Sequence, residues 1–145
     1  MKKIKILLII ITLVIGINVV DVNAQNIKIN SEVGILYNLN DDKVLYEKNS
    51  NKKVSIASLT KMMTALVVIE NVDDLNKEVT FKKSDYDKLI EMDASGSSLD
   101  KDKTYTYYDL LYGLILESGA DCANALARLT SGSEEEFVRR MNARA

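Results

Sequence analysis

Ser58 and Lys61 lie in the run Val54-Ser55-Ile56-Ala57-Ser58-Leu59-Thr60-Lys61-Met62-Met63-Thr64-Ala65-Leu66. Their spacing brings a hydroxyl and an amine onto neighbouring positions of one helix face. A serine there is a candidate nucleophile and the lysine a candidate base. The spacing alone does not select them, because Ser-x-x-Lys recurs at Ser50/Lys53 and Ser98/Lys101. Context separates the three. Ser50/Lys53 sits in the polar run from Lys48 to Lys53 and Ser98/Lys101 in that from Asp93 to Lys103, whereas Ser58/Lys61 opens an apolar segment. Among Met62, Met63, Ala65 and Leu66, Lys61 is expected to be partly desolvated, which lowers an ammonium pKa and frees a neutral amine. The competing reading is a capping serine followed by a surface lysine.

What the chain lacks narrows its chemistry. It has no histidine, so neither a Ser-His-Asp nor a Cys-His site can be assembled, and a zinc site would miss its usual ligands. A nucleophilic serine must work with a lysine or a carboxylate. Asp93, Asp100 and Asp102 lack the alternating ligands and central glycine of a calcium-binding EF-hand, and their segment reads as a solvated loop. No cofactor or metal is expected. Cys122 is the only cysteine, so it has no internal disulfide partner; beside Ala120, Ala123 and Ala125 it reads as a small packed residue.

The elements that must position Ser58 and Lys61 follow from hydrophobic periodicity. Glu32 to Asn38 alternates around Val33, Ile35 and Tyr37, and Lys43 to Lys48 around Val44 and Tyr46, which predicts a hairpin turning at Leu39 to Asp42. A helix from about Ser58 to Glu70 carries Leu59, Met62, Met63, Leu66, Val67 and Ile69, enough to bury most of its sides. Glu78 to Phe81 reads as a short strand, and Ser84 as the cap of a helix from Asp85 to about Met92. Asp93 to Thr104 reads as loop, with no further strand after Phe81. Thr106 and Asp109 have capping-box spacing ahead of Leu110 to Leu116, a second buried helix ending at Glu117-Ser118-Gly119. A third is expected over Asp121 to Leu129, closed by Gly132. Ser133 with Glu136 predicts a further capping box, before a fourth helix with Phe137, Val138 and Met141 on its inner stripe. That pattern is still running at Ala145, as in a domain cut before its end.

Residues 1 to 24 read as a secretory signal: Lys2, Lys3 and Lys5, an apolar run from Ile6 to Ile17, and Val22-Asn23-Ala24 as a cleavage site before Gln25. An uncleaved anchor is the alternative, but the run falls short of the roughly 20 apolar residues a spanning helix needs. Lys2, Lys3, Lys5 and Asp21 leave with the signal, so of 19 Lys+Arg and 21 Asp+Glu, 16 and 20 remain, a net charge of −4. That balance gives no reason to expect nucleic-acid binding.

Several ordered stretches resemble the serine-type D-alanyl-D-alanine carboxypeptidases, the low-molecular-weight penicillin-binding proteins of peptidase family S11. They are Val44-Leu45-Tyr46-Glu47-Lys48-Asn49, Ala57 to Leu66, Asp109-Leu110-Leu111-Tyr112-Gly113-Leu114, Glu117-Ser118-Gly119, and Glu136-Phe137-Val138 with Met141-Asn142-Ala143. The likeness extends over nearly all of residues 32 to 145. It implies an α/β fold, a sheet flanked by helices, shared with penicillin-binding transpeptidases and serine β-lactamases, here its N-terminal part. It implies that Ser58 is the nucleophile forming an acyl-enzyme with peptidoglycan stem peptides ending in D-Ala-D-Ala. Lys61 would be its general base, Ser118 a proton relay to the leaving amine, and the Ser58 backbone N–H one oxyanion donor. β-Lactams would acylate Ser58 as substrate mimics, and the protein would be exported to the cell envelope.

The resemblance has two departures. The asparagine of the family's Ser-x-Asn motif is replaced by Ala120, with Asn124 four residues on. The Lys-Thr-Gly motif, which supplies the other oxyanion donor, is missing; Lys103-Thr104-Tyr105 is not it. That motif, the later strands and a C-terminal membrane-associating region would follow Ala145, so the 145 residues alone are expected to be inactive. The rivals are a β-lactamase-like acyl-serine enzyme and a truncated, non-catalytic envelope protein.

Overall fold

The computed structural model describes residues 28–87, 89 and 93–145; the signal-peptide reading lies outside them. The chain divides after Val54 into two units. In the first, β1 (Gly34–Asn38) and β2 (Lys43–Lys48) pair antiparallel, with Gly34 opposite Lys48 and Asn38 opposite Lys43. Leu36 faces Tyr46 and Tyr37 faces Val44, so Leu45 is the extra residue of a bulge. The turn is built by side chains that mimic backbone: Asn38 Oδ1 accepts the Asn40 amide at 2.9 Å, Asn38 Nδ2 donates to Asp41 at 2.8 Å, and Asp42 takes a left-handed φ of 54°. The hairpin is the expected one. Most of its apolar side chains, Ile35, Leu36, Val44 and Leu45 among them, are exposed.

The second unit, Ser55–Ala145, carries four helices. They are α1 (Thr60–Asn71), α2 (Tyr107–Leu116), α3 (Ala120–Ser131) and α4 (Glu134–Arg144). Their core joins Val67 and Val68 of α1, Leu110 and Leu114 of α2, Cys122, Ala125 and Leu126 of α3, and Phe137 of α4. The small residues of α2 and α3 set how closely those helices approach. A Cβ built on Gly113 would stand 2.6 Å from Cys122 Sγ, so only glycine admits that spacing.

Helix α1 departs from its expected burial. Thr64, Val67 and Val68 are buried, but Leu59, Met62, Leu66 and Ile69 are exposed. The other three helices all pack on α1, and its buried positions form one i, i+3, i+4 stripe; Met63 and Ala65 are half-buried against the same core, whereas Met62, Leu66 and Ile69 face outward.

Two further readings are corrected. A strand does follow Phe81: β4 (Thr104–Thr106) pairs antiparallel with β3 (Glu78–Thr80), and Phe81 N donates to Lys103 O at 3.0 Å to lengthen the ladder. Three residues are too few to show alternation, and Thr106 doubles as the cap of α2. Of the helix expected from Asp85 to about Met92, residues 85–87 and 89 are described and are not α-helical, a 3₁₀ turn covering Lys83–Asp85; the rest of that reading lies outside the described residues. Ser84 lies inside that turn and does not cap a helix. Asp85 points inward, where Arg128 of α3 grips its carboxylate through Nε at 2.9 Å and Nη2 at 2.7 Å. The Thr106/Asp109 box closes in both directions. At α4 only half of the expected box forms: Ser133 Oγ accepts the Glu136 amide at 3.2 Å, while the Glu136 carboxylate pairs with Arg139.

Candidate active site

Chain direction alone brings Ser58 and Lys61 together. Ala57–Leu59 form a 3₁₀ turn that runs directly into α1, and in a 3₁₀ turn residues i and i+3 nearly eclipse. Lys61 Nζ donates to Ser58 Oγ at 3.2 Å. The residue before the nucleophile candidate, Ala57, has a left-handed φ of 45°, a conformation that costs a non-glycine residue about 1–3 kcal/mol.

The third group arrives from far along the chain. Ser118, in the turn between α2 and α3, presents its hydroxyl to both: Lys61 Nζ donates to Ser118 Oγ at 3.1 Å, and Ser118 Oγ donates to Ser58 Oγ at 2.8 Å. Ser58 Oγ, Lys61 Nζ and Ser118 Oγ therefore close a triangle, Ser58 exposed to solvent, Lys61 and Ser118 half-buried. Ser118 too is left-handed, with φ 57°. The triangle has the parts for acyl transfer: an accessible hydroxyl, an amine in contact with it, and a second hydroxyl touching both.

The other two Ser-x-x-Lys pairs are engaged elsewhere. Ser50 Oγ donates to Glu47, Ser98 Oγ donates to Glu117 at 2.8 Å, and Lys101 Nζ lies 4.7 Å from the centre of the Tyr86 ring. Asn124 does not stand in for an asparagine at position 120; its Nδ2 donates to the Asp85 carbonyl at 3.0 Å. Cys122 is fully buried, and burial pushes its thiol up to about 12.

Sequence reasoning assigns no role to the segment Ser95–Ser98, which borders Ser118. Ser97 N and Oγ both donate to Asp121 at 2.9 Å, Ser98 N and Oγ donate to Glu117 at 2.6 and 2.8 Å, and Ala120 N donates to Ser95 O at 2.8 Å. The signal in the chain is an acid, Asp121, set among the small residues Ala120, Cys122 and Ala123. Among the described residues no three His, Cys, Asp or Glu side chains gather as metal ligands, and no helix is long and apolar enough to cross a membrane.

A family model described as D-alanyl-D-alanine carboxypeptidase matches residues 19–145. A D-alanyl-D-alanine carboxypeptidase of Bacillus subtilis strain 168, DacF, is 37% identical over 111 residues, spanning 77% of this chain and 28% of the relative. One from Escherichia coli K12, DacA, is 32% identical over 125 residues, spanning 79% and 30%. Among solved structures, the Streptomyces K15 DD-transpeptidase superposes with a TM-score of 0.76 at 32% identity, over 81% of this chain and 48% of that one. Penicillin binding protein 5 of Haemophilus influenzae gives 0.73 at 31%, over 81% and 35%. The chain thus spans about a third of the curated relatives' length.

Proposed function

This chain belongs to the D-alanyl-D-alanine carboxypeptidase family and has the α/β fold of the penicillin-binding peptidases, and on that premise we propose that it carries the acylation centre of such an enzyme. Ser58 Oγ attacks the carbonyl of the penultimate D-alanine of a peptidoglycan stem peptide, and Lys61 Nζ accepts its proton. Ser118 passes a proton to the leaving amine, so that D-alanine departs and the acyl group stays on Ser58 as an ester. Water then hydrolyses the ester. β-Lactams acylate the same oxygen, their ring amide opening in place of the peptide bond. The Ser58 backbone N–H, at the start of its 3₁₀ turn, points where helical amides lack an internal acceptor and serves as one oxyanion donor. Export to the cell envelope through residues 1 to 24 belongs to the same proposal.

The observation that carries this reading is the closed triangle of Ser58, Lys61 and Ser118, assembled from two turns 60 residues apart in sequence. Ala120 offers no side-chain amide to the substrate, and no Lys-Thr-Gly occurs in these residues. Losing one oxyanion donor costs about 10²- to 10³-fold in rate, so residues 25–145 alone are expected to release no measurable D-alanine. A protein carrying these residues together with a Lys-Thr-Gly strand is expected to release D-alanine from a peptide ending in D-Ala-D-Ala, and its Ser58→Ala variant none. Penicillin turnover in that protein faster than D-alanine release would instead point to a β-lactamase.

A further inference from the structure

We infer that Asp121 and Glu117 are positioning residues for Ser118. Their carboxylates grip Ser97 and Ser98, and this brace fixes the turn that aims Ser118 Oγ at Ser58 and Lys61. The catalytic consequence rests on the role proposed above for Ser118; the brace itself does not.

Ser118 has a left-handed backbone without being glycine, a conformation that persists only where the surroundings over-determine it. Those surroundings tie the chain on both sides of it. On the α2 side, Glu117 accepts Ser98 N and Oγ at 2.6 and 2.8 Å. On the α3 side, Asp121 accepts Ser97 N through both carboxylate oxygens at 2.9 Å, and Ser97 Oγ at the same distance. Two backbone bonds complete the brace: Gly119 N to Gly113 O at 3.0 Å, and Ala120 N to Ser95 O at 2.8 Å.

Asp121 is wholly buried and also accepts the Cys122 amide at 2.8 Å. It lies in the first turn of α3, where helix-end N–H groups favour a carboxylate. Any side chain at position 119 would break into this arrangement, because a Cβ there would lie 2.6 Å from Asp121 Oδ1 and 3.0 Å from Ser97 Cβ. Ser118 Oγ reaches Ser58 Oγ at 2.8 Å, so a displacement of the turn by about 1 Å removes that bond.

The test uses the 145-residue chain with Asp121→Asn, whose amide would turn an N–H toward the Ser97 donors, and with Ser97→Ala, which removes only a hydroxyl. Amide exchange at Ser97 and Ala120 is expected to quicken at least about tenfold while Val67 and Val68 in α1 keep their protection. The rate at which a penicillin modifies Ser58 is expected to fall by at least about tenfold, and by less than about twofold once Ser118 is already alanine. Unchanged exchange at Ala120 overturns the brace. Losses that multiply in the double variant overturn its action through Ser118. Should Asp121→Asn fail to fold, Ser97→Ala carries both measurements. If the wild-type chain takes no penicillin, a result that the missing second oxyanion donor would account for, amide exchange at Ala120 decides the brace by itself.

Discussion

Lys61 has two hydroxyl acceptors within 3.2 Å, and those hydroxyls touch each other. On the acyl-serine reading proposed above, this arrangement would give a proton leaving Ser58 two short routes, directly to the amine or through Ser118. Left-handed backbone at both Ala57 and Ser118 puts strain beside the triangle of Ser58, Lys61 and Ser118, and strain of this kind clusters at functional sites. Cys122, four residues from Ser118, is the opposite case. It is fully buried with its thiol pushed up to about 12, far from the range in which a thiolate reacts at neutral pH. A thiol reagent is therefore expected to leave the native protein unmodified and to react with one equivalent after denaturation. Rapid native reaction would contradict the packing assigned to α3 against Gly113.

Among the elements, the hairpin, the four helices and the caps at Thr106 and Ser133 are local patterns, and local patterns are legible in the order of residues. β4 is not legible, because its three residues merge into a cap. The inward turn of Asp85 to Arg128 is also not legible, because its partner lies 43 residues away. The contact of Ser118 with Ser58 is not local either; only the family resemblance points to it. The α2 cap offers a test of a local pattern. Asp109 accepts hydrogen bonds from Thr106 Oγ1 and N at 2.7 and 2.8 Å, which hold its carboxyl below the ordinary 3.8. A depressed folded value means the contribution is complete above pH 3.8 and is lost as pH falls through the folded value. Asp109→Ala is expected to lower stability by about 1 kcal/mol at pH 7, and the gap between variant and wild type in urea melts should close in acid. A gap that persists unchanged under acid conditions would show that the carboxylate contributes nothing through its charge.

At the scale of the whole helical unit, a buried core stands beside apolar side chains that are exposed. Its core is continuous from Val67 to Phe137, yet Leu59, Met62 and Ile69 of the Ser58 segment and Tyr112, Ile115 and Leu116 of α2 lie exposed. Ile69, Tyr112, Ile115 and Leu116 line one apolar groove, surface of the kind that ordinarily belongs to an interface, and the part matched here spans 28% and 30% of two relatives. The triangle is nevertheless whole within the 145 residues, so acylation of Ser58 can be sought on them. Prolonged incubation with a penicillin, then digestion and mass spectrometry, locates any acyl group. Slow addition of one penicilloyl group is expected on the peptide containing Ser58, absent from Ser58→Ala and much reduced in Lys61→Ala. An adduct on another residue, or one that survives Ser58→Ala, would contradict the assignment of Ser58 as nucleophile.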